Sequence, residues 1–215
     1  MKEHGLLLVN VALFLIFLIG MALTGWQVSN EELLEHGAPA QGFAQFLGSG
    51  DFAEAVFENW ESEFLQMGAY VVLTIFLFQK GSSESKPLDG APQDEDPRRH
   101  AKDPDAPWPV RHGGFVLALY ENSMLILFAL LFVLSFVAHA IGGAAAYSEE
   151  QALHGNPGVS PIEYLAGSQF WFESFQNWQS EFMVVAVLVL AAVWLRQRGS
   201  SESKPVAAPH AETGT

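Results

Sequence analysis

Two glutamates, Glu63 and Glu181, each stand at the polar edge of an apolar run, with Asn59 and Asn177 one helical turn ahead of them. A carboxylate at the rim of a membrane is costly to desolvate and often marks the path of an ion or a proton. Brought together beside carboxamide oxygens, the two would form an oxygen-rich cation site, or a coupled pair in which one carboxyl keeps its proton. A second reading uses the same residues for structure: each glutamate caps or hydrogen-bonds an incoming loop, with its carboxylate in interfacial water. His36 and His154, with Glu31, Glu32, Glu149 and Glu150 nearby in sequence, offer ligands that suit zinc or iron. Neither histidine has a second one at ligand spacing, and the Glu-x-x-His motif of bundle metal sites is missing. Both instead precede a glycine and a nearby proline, as a helix end does, so no metal or other cofactor is expected. His139 and Asn10, within apolar runs, read as contacts between helices. The chain has no cysteine, which excludes thiol chemistry and disulfides. It also lacks a nucleophile elbow and a phosphate loop, so an enzyme is not expected.

The glutamates belong to a repeat. Phe57-Glu58-Asn59-Trp60-Glu61-Ser62-Glu63-Phe64 returns 118 positions later as Phe175-Gln176-Asn177-Trp178-Gln179-Ser180-Glu181-Phe182. The loops before these segments share Glu-Glu and His-Gly pairs at the same offset. The segment Gly81–Pro87 recurs unchanged as Gly199–Pro205, following Gln79-Lys80 and Gln197-Arg198. A helix stop accounts for its glycine and proline, while the rest of the repeated heptad fits either a docking motif or exchange between the two copies.

Four apolar runs must position these residues. The spans expected are about 6–25, 57–80, 115–141 and 175–198, since roughly 20 residues cross a hydrocarbon core. A cleaved leader is disfavoured for the first, because it aligns with a run deep inside the chain. Phe64 to Phe78 is too short to cross alone, so the second helix must begin near Phe57. That places Phe57, Trp60, Phe175 and Trp178 as interfacial anchors, with Asn59, Ser62, Glu63 and Gln66 on one face. Asp51 to Trp60 reads as a helix lying along the membrane surface. The first repeat occupies 1–88, a Pro-, Asp- and Ser-rich disordered linker 89–112, the second repeat 113–205 and a tail 206–215. The fold expected is all-α: an integral membrane four-helix bundle of two tandem two-helix repeats in the same orientation, with interfacial helices on the outer face.

Charge placement gives the orientation. All 10 Lys and Arg lie at the N-terminus, between Lys80 and Arg111, or beyond Leu195, and none falls in the two acidic loops. By the positive-inside rule both termini and the linker are cytoplasmic. A net charge of −14 argues against a nucleic-acid partner. The partners expected are the lipid bilayer, a second copy of the chain, and a protein docking at the outer loops or the repeated tail.

With these motifs laid out, the chain resembles the DUF6766 family, bacterial membrane proteins of no known activity. The resemblance rests on Leu23–Trp26, Phe57–Phe64, Trp171–Phe182 and Arg196–Ser200, and spans nearly the whole chain. It implies a bacterial cytoplasmic membrane and no particular chemistry. Two functions are carried forward: a non-enzymatic structural or interaction protein of the envelope, or a small ion or proton-coupled channel or transporter using Glu63 and Glu181.

Overall fold

The computed structural model describes residues 4–88 and 95–214, which hold helices and turns and no strand. The helices are α1 (Gly5–Glu35), α2 (Phe43–Phe46), α3 (Gly50–Phe76), α4 (Trp108–His112), α5 (Gly114–Glu121), α6 (Ser123–Leu153), α7 (Pro161–Ala166) and α8 (Ser168–Trp194). Both ends of α6 and of α8 lie 118 positions after those of α1 and α3.

Helices α1, α6 and α8 are long and apolar enough to cross a membrane. At 1.5 Å per residue α1 reaches about 46 Å, beyond a hydrocarbon core of about 30 Å. Its side chains Leu6 to Ile19 are largely exposed, which suits lipid rather than water. Helix α3 is as long as α8, but Asp51, Glu54, Glu58, Glu61 and Glu63 leave it free of charged residues only from Phe64 on.

Several boundaries differ from the sequence expectation. Helix α1 runs on to Glu35, because Thr24 to Glu35 contains no proline and no glycine after Gly25. The expected surface helix over 51–60 is the continuous start of α3. The third apolar run is divided at Asn122, whose side-chain amide donates to the Ala118 carbonyl at 2.8 Å and so competes with the helix ladder. Helices α3 and α8 stop at Phe76 and Trp194, short of the expected ends. Of the expected disordered linker 89–112, residues 89–94 lie outside the described part. The remainder holds a 3-10 turn, Pro97–His100, and α4. Proline at the start of each fixes φ for the first turn, and the Asp96 carboxylate accepts from the Arg98 amide.

The chain divides into two compact units. The first comprises Met1–Trp60 and Ser135–Ser174. Its core is Ala140, Ala144, Tyr164 and Phe170, with Phe136, Tyr147, Val159 and Leu165 packed around them. The run Gly142-Gly143-Ala144-Ala145-Ala146 on α6 lets the start of α3 approach backbone to backbone. A Cβ on Gly50 would lie 2.3 Å from the Ala146 amide nitrogen. Two loops are pinned alike: the Asn30 side chain bonds the Gln41 backbone amide and carbonyl, and the Ser148 hydroxyl bonds those of Val159.

The second unit comprises Glu61–Leu134 and Phe175–Thr215. Here the repeated heptad has a structural explanation. The Gln79 amide donates to the Ser85 hydroxyl at 3.0 Å, and the Gln197 amide to that of Ser203 at 2.8 Å. The Glu84 and Glu202 amides donate to Ser82 and Ser200, each at 3.1 Å. Gly81 and Gly199 take φ of 86° and 84°, which glycine alone adopts without strain. The motif is therefore a folded turn just beyond α3 and again beyond α8. Its lysines diverge. Lys86 is half-buried, over the Phe78 ring, whereas the Lys204 ammonium is buried and donates to the carbonyls of Gly81, Pro209, His210 and Glu212.

Candidate functional site

The polar centre of the first unit gathers four segments. Helix α3 supplies Glu54, α6 supplies His139, α7 supplies Tyr164, and the first turns of α8 supply Gln169 and Glu173. Short α7 is fixed by a capping box: the Ser160 hydroxyl accepts from the Glu163 amide, and the Glu163 carboxylate accepts from the Ser160 amide. That holds Tyr164 against Gly143, where a Cβ would stand 2.5 Å from the ring. Only glycine leaves room there.

The Tyr164 hydroxyl lies 2.9 Å from Glu54 Oε1 and 2.5 Å from Glu173 Oε2. His139 Nε2 lies 3.3 Å from Glu173 Oε2, and Gln169 Nε2 donates to Glu173 Oε1 at 2.7 Å. The His139 ring is fully buried and stacks on Phe170, centroids 4.5 Å apart. Burial, with the Glu173 carboxylate, pushes the Tyr164 hydroxyl far above its usual range, so it remains a neutral donor. A phenol has one proton to give. The Glu54 and Glu173 carboxylates therefore compete for that one proton. Glu54, ahead of the apolar part of α3, is pushed up to about 7, chiefly by burial and then by the Glu173 charge.

A cleft of about 720 Å³ opens onto this cluster. Its lining includes Glu32, Asp51, Glu54, Glu149, Glu150 and Glu173, and no Lys or Arg. With no opposing base, these walls make a cation-attracting field. Among the described residues, Glu54, His139 and Glu173 are the group that brings three potential ligand atoms within 4.8 Å of one another.

The residues singled out in the sequence fall elsewhere. Glu63 and Glu181 lie in the second unit, near enough to interact electrostatically, with Glu63 exposed and Glu181 half-buried. The expected shared face of Asn59, Ser62, Glu63 and Gln66 covers an arc of about 100° on the helix, and the border between buried and exposed runs through it. Ser62 and Gln66 are buried, whereas Asn59 and Glu63 are exposed. Asn59 donates to its own helix at the Ala55 carbonyl, and half-buried Asn177 accepts the Ser180 hydroxyl through its backbone carbonyl. The fully buried carboxylate of that segment is Glu61, which accepts the Trp178 indole N–H at 3.0 Å. Trp60 packs against Phe57 and Phe14, and Trp178 against Phe175. His36 and His154 come together edge to face at 5.5 Å. Each Nδ1 meets the carbonyl four residues back, on Glu32 and Glu150, as expected of helix ends.

The sequence reading passed over the Glu54–His139–Tyr164–Glu173 cluster, although a signal was present. At the offset of 118, these positions correspond to Phe172, Met21, Phe46 and Ala55. Four ionisable residues stand where the other copy has apolar ones. The comparison of surroundings is closest at Phe46, which is buried with its ring against Gly25 as Tyr164 is against Gly143.

An all-helical chain with three membrane-length apolar helices and an acidic, partly buried polar cluster has the make-up of an integral membrane protein. The chain belongs to the DUF6766 family, a domain of unknown function whose model matches residues 1–215. No curated protein and no solved structure matches it.

Proposed function

We propose that this is a non-enzymatic, multi-pass membrane protein that binds cations through the acidic cleft of its first unit. Of the two functions left open by the sequence, this is the ion-handling one, moved from Glu63 and Glu181 to the cleft. The observation that carries it is a cleft of about 720 Å³ walled by carboxylates, without a basic residue, ending on the Tyr164-bridged carboxylates. In this reading α3 crosses with α1, α6 and α8 as a fourth span. The cleft faces outward, and the base-rich linker and termini face the cytoplasm, in accord with the positive-inside rule. Two tandem repeats are supported within each unit by residues 118 positions apart that come near each other: His36 and His154 in ring contact in one, Glu63 and Glu181 within electrostatic reach in the other.

The test is the melting temperature of the full chain in detergent, with Ca²⁺, Mg²⁺ or Mn²⁺ added at constant ionic strength. A cation at 100 times its dissociation constant should stabilise by about 2.7 kcal/mol. The Asp51→Asn/Glu149→Gln/Glu150→Gln variant should need more cation for the same shift. The same melting temperature with and without every cation would overturn the proposal.

A further inference from the structure

The polar cluster at the end of the cleft has the donor set of a particular class of ion. Glu54, His139 and Glu173 offer two carboxylates and one imidazole. Oxygen alone suits calcium and magnesium, whereas a nitrogen beside carboxylates suits zinc, manganese or iron. The spacing agrees. His139 Nε2 and Glu173 Oε2 are 3.3 Å apart, about the separation of two donors that share a tetrahedral ion at 2.0–2.2 Å. Neighbouring groups hold the ligands in place: Phe170 fixes the His139 ring, Gln169 holds the second oxygen of Glu173, and Tyr164 spans both carboxylates.

Structural need does not account for the cluster. Buried polar groups are costly, yet the copy 118 positions earlier packs Phe46 where this one has Tyr164, with Met21 and Ala55 in place of His139 and Glu173. A fold that stands with apolar residues at these positions does not require the polar ones. Geometry is a second observation: the Tyr164 hydroxyl reaches an oxygen of both Glu54 and Glu173, so the two carboxylates converge on one point beside the His139 ring.

We infer that Glu54, His139 and Glu173 form the binding site of one divalent first-row transition-metal ion, with Tyr164 as a positioning residue. This rests on the cation-binding reading above and narrows it to an ion class and a ligand set. The cleft acids gather the ion, and the three ligands retain it.

The test is a Co²⁺ titration of the full chain in detergent, followed by visible absorption, with Zn²⁺ competition and elemental analysis after washing. The expected result is one Co²⁺ per chain, with ligand-field bands that Zn²⁺ abolishes. His139→Ala and Glu173→Gln should each remove the bands. Tyr164→Phe should keep them while weakening affinity about tenfold. To separate lost ligands from lost folding, His139→Met, Tyr164→Phe and Glu173→Ala are combined, which installs the residues of the apolar copy. This variant should fold and bind no Co²⁺. Wild type without bands and without retained Zn²⁺ would overturn the inference, as would retained bands in the triple variant. Stabilisation by Ca²⁺ or Mg²⁺ in the absence of Co²⁺ binding would leave the broader cation-binding proposal standing.

Discussion

Tyr164 and Phe46 occupy positions 118 residues apart, each buried with its ring over a glycine of a long helix, Gly143 or Gly25. They differ by one oxygen. At the same offset, His139 and Glu173, which surround Tyr164, correspond to Met21 and Ala55. One scaffold thus carries a packed apolar version and a hydrogen-bonded ionisable version of the same arrangement. Packing explains the ring and the glycine in both. It does not explain the hydroxyl, the imidazole or the carboxylates in one.

The largest effect should come from the backbone approach that supports the polar copy. A Cβ on Gly50 meets the main chain of Ala145 and Ala146, which cannot swing aside. Gly50→Ala should therefore cost about 3 kcal/mol or prevent folding. The counterpart Ser168 already carries a Cβ, so Ser168→Ala should change the melting temperature little. Comparable losses from both would mean that the two helix starts are packed alike.

A middle-sized effect is expected on exchanging the rings. Tyr164→Phe removes the shared donor and should cost about 1–3 kcal/mol in the ion-free protein. Phe46→Tyr buries a hydroxyl among apolar neighbours and should cost a similar amount for the opposite reason, a polar group without a partner. Denaturation of both variants checks this. If Phe46→Tyr were neutral, the apolar copy would be less closed than its burial implies.

The smallest effect concerns the second unit. Burial, and then the neighbouring Glu202 charge, raise the Glu84 carboxyl above its ordinary value. The folded state thus holds this proton more tightly than the unfolded chain does. Its stability contribution is complete in acid, below the unfolded value, and is lost as pH rises through the folded one. Glu84→Gln should raise the melting temperature slightly at neutral pH, and the gain should vanish in acid. A gain that persisted unchanged at low pH would rule out the charge as its cause.

The helical class, the apolar runs and the repeat offset were legible in the sequence, because each is written in local composition. The boundaries at Glu35 and Asn122 were not. There, helix continuation or interruption depended on single residues inside runs that read uniformly as loop or span. The candidate site was hidden for a different reason. Glu54, His139, Tyr164 and Glu173 come from four separate segments with no motif spacing, and only the fold assembles them. Glu63 and Glu181 are retained in both copies, whereas the ionisable cluster of the candidate site lies where the copies differ. His139 opposite Met21 and Tyr164 opposite Phe46 were the readable clues.

The repeated turn after α3 and α8 has a bearing on how the chain folds. Its paired serine and amide contacts all close within seven residues, and loops of that size close in roughly 10–100 ns. Each can form as soon as its own stretch of chain is free, without waiting for a partner helix. The end of each long helix is thereby fixed early by local sequence, and the slower search for helix–helix partners starts from rods of set length.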